Sequence, residues 1–210
     1  MVLYPANIRV KSSVNFLLVD VDGVLVTGRP DDGRVWHAEM ANDLGFSYDL
    51  LHEHFFKPYW DEIVTGRQDL KPNLHKTLVT IAPDLEVDAV IDYWFRHDAR
   101  LNHVLLNDLS LARSRGIKVQ LATNQEHLRA DYLMNALGLT QYVDACHYSA
   151  DIGFRKPHQA FFAEVALRVA AAPEHLMLID DSIENVNSAR SAGWQAAHWA
   201  VGATLSDILA

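Results

Sequence analysis

One cysteine, Cys146, is all that the 210 residues supply. That excludes an internal disulfide and a cysteine-built zinc cluster. It lies in Ala145-Cys146-His147-Tyr148, which reads as strand, and is expected to be a buried apolar filler. Long hydrophobic runs are also missing, since no stretch of about 18 apolar residues is present to cross a membrane. Met1 to Ser13 lacks the long apolar core of a signal peptide, so a cytoplasmic protein is the expectation. Positive charge is scarce, with 18 Lys and Arg against 27 Asp and Glu, a net charge of −9. A nucleic-acid or anionic-membrane partner would call for a basic face, and this balance argues against both. A phosphate ligand stays open, because a few local cations suffice to hold it. Eleven histidines are present, yet no His-Glu-x-x-His pattern occurs.

Half the residues are apolar, enough for a sizeable core. The length suits one large domain or a domain carrying a substantial insertion. The densest signal is Phe16-Leu17-Leu18-Val19-Asp20-Val21-Asp22-Gly23-Val24-Leu25. A strand-forming apolar run ends there on two carboxylates two positions apart, followed by a glycine. If the strand simply continued, Asp20 and Asp22 would share one face. Carboxylates so placed repel each other unless a cation or a proton intervenes, which fits a metal site or an acid/base pair. Gly23 permits a sharp turn and a close ligand approach to the backbone.

The first strand is expected over about Asn15 to Val19. A turn cluster follows at Gly28-Arg29-Pro30-Asp31-Asp32-Gly33, and Val24-Leu25-Val26 with Arg34-Val35-Trp36 could flank it as a small hairpin. From about Ala38 to Arg100 the periodicity is helical, with Leu50-Leu51, Phe55-Phe56, Tyr59-Trp60, Leu74, Leu78, Val90, Ile91 and Trp94 recurring at helical spacing. This reads as a bundle of about four helices. After Asn102 strands and helices alternate. A helix ends at Gly116, and a strand over Ile117 to Ala122 stops at Thr123-Asn124. Helix 125–137 ends at Gly138, and a short strand lies near Cys146. Helix 158–170 leads to the apolar strand Leu176-Met177-Leu178-Ile179 and Asp180-Asp181. Helix 184–192 ends at Gly193, before a last strand over Ala196-Ala197-His198-Trp199. Such alternation indicates an α/β fold: a Rossmann-like parallel sheet with helices on both faces. The bundle is then a helical insertion, dividing the chain into a core of 1–27 and 101–210 and a cap of 28–100.

In open α/β sheets, ligands bind beyond the carboxyl ends of the strands. Asp20, Asp22, Thr123, Lys156, Asp180 and Asp181 all fall at or just past expected strand ends. Together they offer four acids, a hydroxyl and an ammonium. The acids suit a hard cation such as magnesium (Mg2+), and Thr123 with Lys156 can grip a phosphate oxyanion. One Asp could instead act as a nucleophile, since carboxylates form aspartyl-phosphate intermediates. Singly, each residue has a plainer role. Thr123-Asn124 or Asp180-Asp181-Ser182 could cap a helix, and Lys156 before Pro157 could be an exposed turn lysine. Their order and joint placement favour a site.

These segments resemble the haloacid dehalogenase-like hydrolase superfamily, in the branch with a helical cap after the first strand. Val19-Asp20-Val21-Asp22-Gly23-Val24-Leu25 looks like the nucleophile motif, and Leu121-Ala122-Thr123-Asn124 like the hydroxyl-bearing one. Ile152-Gly153-Phe154-Arg155-Lys156-Pro157 resembles the lysine motif. Leu178-Ile179-Asp180-Asp181-Ser182-Ile183-Glu184-Asn185 is similar to the paired-acid metal motif. The resemblance covers nearly the whole chain and implies a magnesium-dependent phosphatase acting on a small phosphorylated metabolite, with a sugar phosphate as one expectation. It implies Asp20 as nucleophile, Asp22 as acid and base, and Thr123, Asn124 and Lys156 as substrate-binding groups. Asp20, the Asp22 carbonyl, Asp180 and Asp181 would hold the metal, and Asn185 would brace the loop or the lysine. Trp36, His37, Trp60 and Arg67 are the cap residues expected near the pocket, against core packing for the tryptophans and a surface place for Arg67. A phosphomutase of the same superfamily is the alternative enzyme, and a receiver-like phospho-accepting module the non-enzymatic one. The sequence leaves the oligomeric state open.

Overall fold

A computed structural model describes residues 14–209, so the reading of Met1 to Ser13 concerns residues outside this span. Five strands form a single parallel sheet: β1 (Phe16–Val19), β2 (Lys118–Thr123), β3 (Ala145–Tyr148), β4 (Leu176–Asp180) and β5 (Gln195–His198). Their order is β3-β2-β1-β4-β5. β1 is therefore central, with Val19 level with Leu121 on one side and Ile179 on the other. The chain winds from β1 outward through β2 and β3, then crosses back to place β4 against β1's free edge. This reversal opens a crevice at the carboxyl ends of β1 and β4, where such sheets bind ligands.

Alternation along the strands divides the core between two faces. Leu17, Val19, Val119, Leu121 and Ile179 pack with Leu105, Leu109 and Leu133 on one side. Leu18, Ala122, Leu176 and Leu178 pack with Phe161, Phe162 and Val165 on the other. Covered on both faces, β1 and β4 are nearly all apolar, as buried parallel strands are. Helices His103–Ser114, Gln159–Val169 and Ile183–Ser191 supply much of that cover. Cys146 lies half-buried on β3 beside the first of these clusters. Two short helices, Ser149–Ile152 and Leu205–Leu209, carry no clear sequence signal.

Between β1 and β2 the chain is helical. Met40–Leu44, Tyr48–Leu51, Lys57–Val64, Leu70–Ile81 and Val87–His97 are α-helices, and the π-helical turn His52–Phe56 joins the second to the third. Ser47 caps the second by accepting the Leu50 N–H at 3.3 Å. These helices gather a third apolar cluster around Phe55, Leu74, Leu78 and Trp94, separate from the two that cover the sheet. No helix among the described residues is long and apolar enough to cross a membrane.

The expected hairpin between Val24-Leu25-Val26 and Arg34-Val35-Trp36 gives way to a longer-range pairing. Val26 instead bridges antiparallel to Leu101. Thr27 N–H donates to the Arg100 carbonyl, and Arg100 N–H to that of Gly28, both at 3.0 Å. The segments leaving and re-entering the sheet thus bind each other. The Gly28–Gly33 cluster does turn, with Gly33 N–H reaching the Arg29 carbonyl at 2.9 Å.

Candidate active site

β1 stops at Val19, and the chain bends at once. The Val21 carbonyl accepts N–H groups of Val24, Leu25 and Val26 at 2.8–3.2 Å. The face-sharing expected of a continuing strand therefore does not apply to Asp20 and Asp22. Asp20 is buried and held in line with the sheet, its N–H donating to the Ile179 carbonyl at 2.9 Å. Asp22 is exposed one turn later. Gly23 takes a positive φ of 76°. A Cβ there would lie 2.1 Å from Asp181 Oδ2, so only glycine lets that carboxylate approach the loop.

Lys156 is the centre of charge. It is 1% exposed, with Nζ 2.5 Å from Asp180 Oδ2 and 3.0 Å from Asp20 Oδ1. Asp180, wholly buried at the end of β4, also accepts Asn185 Nδ2 at 3.0 Å and Ser182 N–H at 2.9 Å. A buried carboxylate with that many donors is well compensated. Ser182 meanwhile caps helix Ile183–Ser191 through Asn185 N–H, so capping and site-building share one turn. Burial pushes Asp20 up to about 7; Lys156 opposes this, while Asp180 and Asp22 reinforce it. Burial pulls Lys156 down, but Asp20 and Asp180 outweigh it and hold the ammonium above the usual lysine range. Burial, with Asp180 close by, raises Asp181 as well.

Asp20, Asp180 and Asp181 each present an oxygen within 4.8 Å of the others. Three carboxylates against one ammonium leave an excess of negative charge, and their hard oxygens fit a magnesium ion. Thr123 ends β2, 1% exposed. It and Asp22 meet through Gln125, whose Nε2 lies 2.6 Å from Asp22 Oδ2 and 3.4 Å from Thr123 Oγ1. A cavity of about 960 Å³ opens beside Gly23, Asn102, Asp181 and His198.

These are the acids, hydroxyl and lysine of four motifs, in order, at the ends of three neighbouring parallel strands and one loop. The family model described as haloacid dehalogenase-like hydrolase matches residues 14–193. The chain belongs to the haloacid dehalogenase-like hydrolases. A curated relative, the phosphoglycolate phosphatase of Nitrosococcus oceani, is 31% identical, covering 85% of this chain and 80% of its own. Among solved structures, a haloacid dehalogenase family enzyme of Bacteroides thetaiotaomicron, crystallised with magnesium and inorganic phosphate, has a TM-score of 0.78. It is 16% identical and matches 94% of this chain and 100% of its own. The L-2-haloacid dehalogenase of Xanthobacter autotrophicus has a TM-score of 0.63 at 19% identity, covering 92% and 80%. These two similarities show that the fold is shared.

Other expected site residues of this hydrolase lie elsewhere or do other work. Asn124, expected to bind substrate, spends its side chain on the lysine loop. Its Oδ1 accepts Lys156 N–H at 2.8 Å and its Nδ2 donates to the Lys156 carbonyl at 3.0 Å. Asn185 braces the lysine's partner Asp180. Trp36 stacks on Trp94 at 5.5 Å and Trp60 tilts against it at 5.6 Å, so both belong to the helical cluster. His37 stacks on Tyr48 at 3.7 Å. Arg67 pairs with Glu62 at 2.9 Å on the surface. Gln125 is not among the residues the sequence motifs mark. Its one sequence signal is its place two residues past Thr123.

Proposed function

We propose that this hydrolase is a magnesium-dependent phosphatase of small phosphorylated metabolites, working through an aspartyl-phosphate on Asp20. The observation that carries this reading is Asp20 itself: a buried carboxylate at the crevice, paired to Lys156, with a second acid, Asp22, one turn away. In the first half-reaction an Asp20 oxygen bonds to phosphorus as the ester P–O bond breaks. Asp22 gives its proton to the leaving alkoxide. In the second, water attacks the same phosphorus, Asp22 takes the water's proton, and the Asp20 carboxylate leaves. Lys156 and Thr123 orient the phosphoryl oxygens and offset their charge. Asp20, the Asp22 carbonyl, Asp181 and, more remotely, Asp180 are the groups that would hold magnesium. When bound, that ion supplies positive charge opposite the charge developing on phosphate.

Asp22 separates this reading from dehalogenation, because a leaving alkoxide needs a proton and a departing halide does not. The relative named as a phosphoglycolate phosphatase and the fold neighbour crystallised with magnesium and phosphate support the same class. The helices of residues 28–100 serve as a cap over a core of 1–27 and 101–210, which restricts the site to small esters. The test is phosphate release from a panel that includes phosphoglycolate and sugar phosphates. Release is expected with magnesium and not with EDTA. Asp20→Asn is expected to cut turnover by at least about 10³-fold and to abolish the phosphoryl adduct in quenched intact-mass spectra. Undiminished release in EDTA, or a wild-type protein inert on every ester, would overturn the reading.

A further inference from the structure

We propose that Gln125 is the positioning residue for Asp22, holding one carboxylate oxygen so that the other carries the proton; this rests on the phosphatase reading. Gln125 is 3% exposed although its side chain is polar. Its amide must therefore find partners, and it finds Asp22 Oδ2 at 2.6 Å. The carboxylate is the exposed member of the pair, and among the described residues its side-chain hydrogen bond is the one to Gln125. The backbone that carries the amide is itself anchored. The Gln125 carbonyl accepts Ala150 N–H at 3.1 Å and the Ser149 hydroxyl at 3.2 Å. The same hydroxyl reaches the Val64 carbonyl, at 2.5 Å, on the helical insertion. Gln125 thus sits at the seam of sheet and insertion, with its backbone pinned and its side chain extended to the acid.

The contact suits both half-reactions. With Asp22 ionised, the amide N–H donates to Oδ2. With Asp22 protonated on Oδ1, Oδ2 is a carbonyl oxygen and still accepts the same N–H. The amide neither gains nor loses a proton, and the carboxyl plane stays fixed while Oδ1 delivers a proton to the leaving oxygen and takes one from water. A displacement of about 1 Å in a reacting group can cost on the order of 10²-fold in rate.

The experiment compares Gln125→Met and Gln125→Ala on an alkyl phosphate and an activated aryl phosphate, with magnesium saturating. An alkyl leaving group needs the Asp22 proton, so its turnover is expected to fall on the order of 10²-fold with KM little changed. The aryl ester needs no such proton. Phosphorylation by it is expected to keep its wild-type rate, while the slowed water step makes phosphoenzyme accumulate in quenched intact-mass spectra. Because the two esters are compared within one sample, a reduced folded fraction cancels from the ratio. In an Asp22→Asn background, either Gln125 change is expected to cost less than about twofold more, since Gln125 acts through Asp22. Equal slowing of phosphorylation by both esters, or losses that multiply in the double variant, would overturn the proposal. A wild-type protein that forms no phosphoenzyme would instead sink the phosphatase reading beneath it.

Discussion

The sheet and the helical insertion hold together in different ways. Around the strands the apolar clusters are mainly aliphatic, and they end against a group of buried charges at Asp20, Lys156 and Asp180. The insertion is held by rings: Trp36, Phe56 and Trp60 all pack on Trp94 at about 5.5 Å between centroids. Aromatic packing of this kind stabilises without any group that must later react. The charge cluster is the reverse, since burial and like charge raise the proton affinity of Asp20 against the pull of Lys156. Buried charge is thus concentrated at the strand ends, and the insertion is left to packing. Polar side chains cross between the two at Ser149, wholly buried against the Val64 carbonyl, and at Arg129. Arg129 is 1% exposed, donates to the Phe95 carbonyl at 3.2 Å and pairs with Asp98 at 3.3 Å.

The contrast breaks most visibly at Lys156. Lys156→Met leaves Asp20 and Asp180 without their cation, and removing one partner of a buried ion pair costs about 3–5 kcal/mol. Urea unfolding without magnesium should show that loss together with the loss of turnover. A midpoint near wild type would mean that the carboxylates are satisfied without the ammonium. Leu74→Ala tests the other side. Leu74 is 2% exposed in the ring-rich cluster, and its truncation should cost about 2–5 kcal/mol. Hydrogen exchange should then quicken across 40–97 while β1, β2 and β4 keep their protection. Uniform quickening would show that the two regions unfold as one.

The smallest effect sharpens the comparison at the seam. Burial pushes Asp98 up to about 6, opposed by Arg129 and reinforced by Asp22. The folded protein therefore holds this proton more tightly than the unfolded chain does. Stability from this source is fully present below about pH 4 and is lost as pH rises through about 6, by at most about 3 kcal/mol. Asp98→Asn should lack that slope, so the wild-type urea midpoint should fall relative to the variant between pH 4 and pH 6.5. Parallel midpoints across the range would remove Asp98 from the account.

Much of the sheet is readable from sequence, because β1 and β4 are short apolar runs and the helices between strands stop at Gly116, Gly138 and Gly193, all at positive φ. The acids and Lys156 are readable for a related reason: strand ends mark where polar side chains must gather. Pairings across long separations are not. Val26 meets Leu101 with the whole insertion between them, and nothing local to either residue announces the other. Local turn signals around Gly28 favour a hairpin that the long-range pairing displaces. Gln125 is hidden in the same way, because its partner lies 103 residues earlier. Asn124 shows the opposite limit. Its position beside Thr123 marks it as part of the site, and only the structure reveals that its amide grips the lysine loop.

The central place of β1 has a consequence for how the chain is made. Phe16–Val19 leaves the ribosome first among the strands, yet its neighbours are Lys118–Thr123 and Leu176–Asp180. At about 5–20 residues per second, the nascent strand waits roughly 5–20 s for its first partner and longer for its second. Throughout that interval both of its edges and its Leu-Leu-Val surface are uncovered, so the segment that ends at Asp20 is also the one most in need of protection during synthesis.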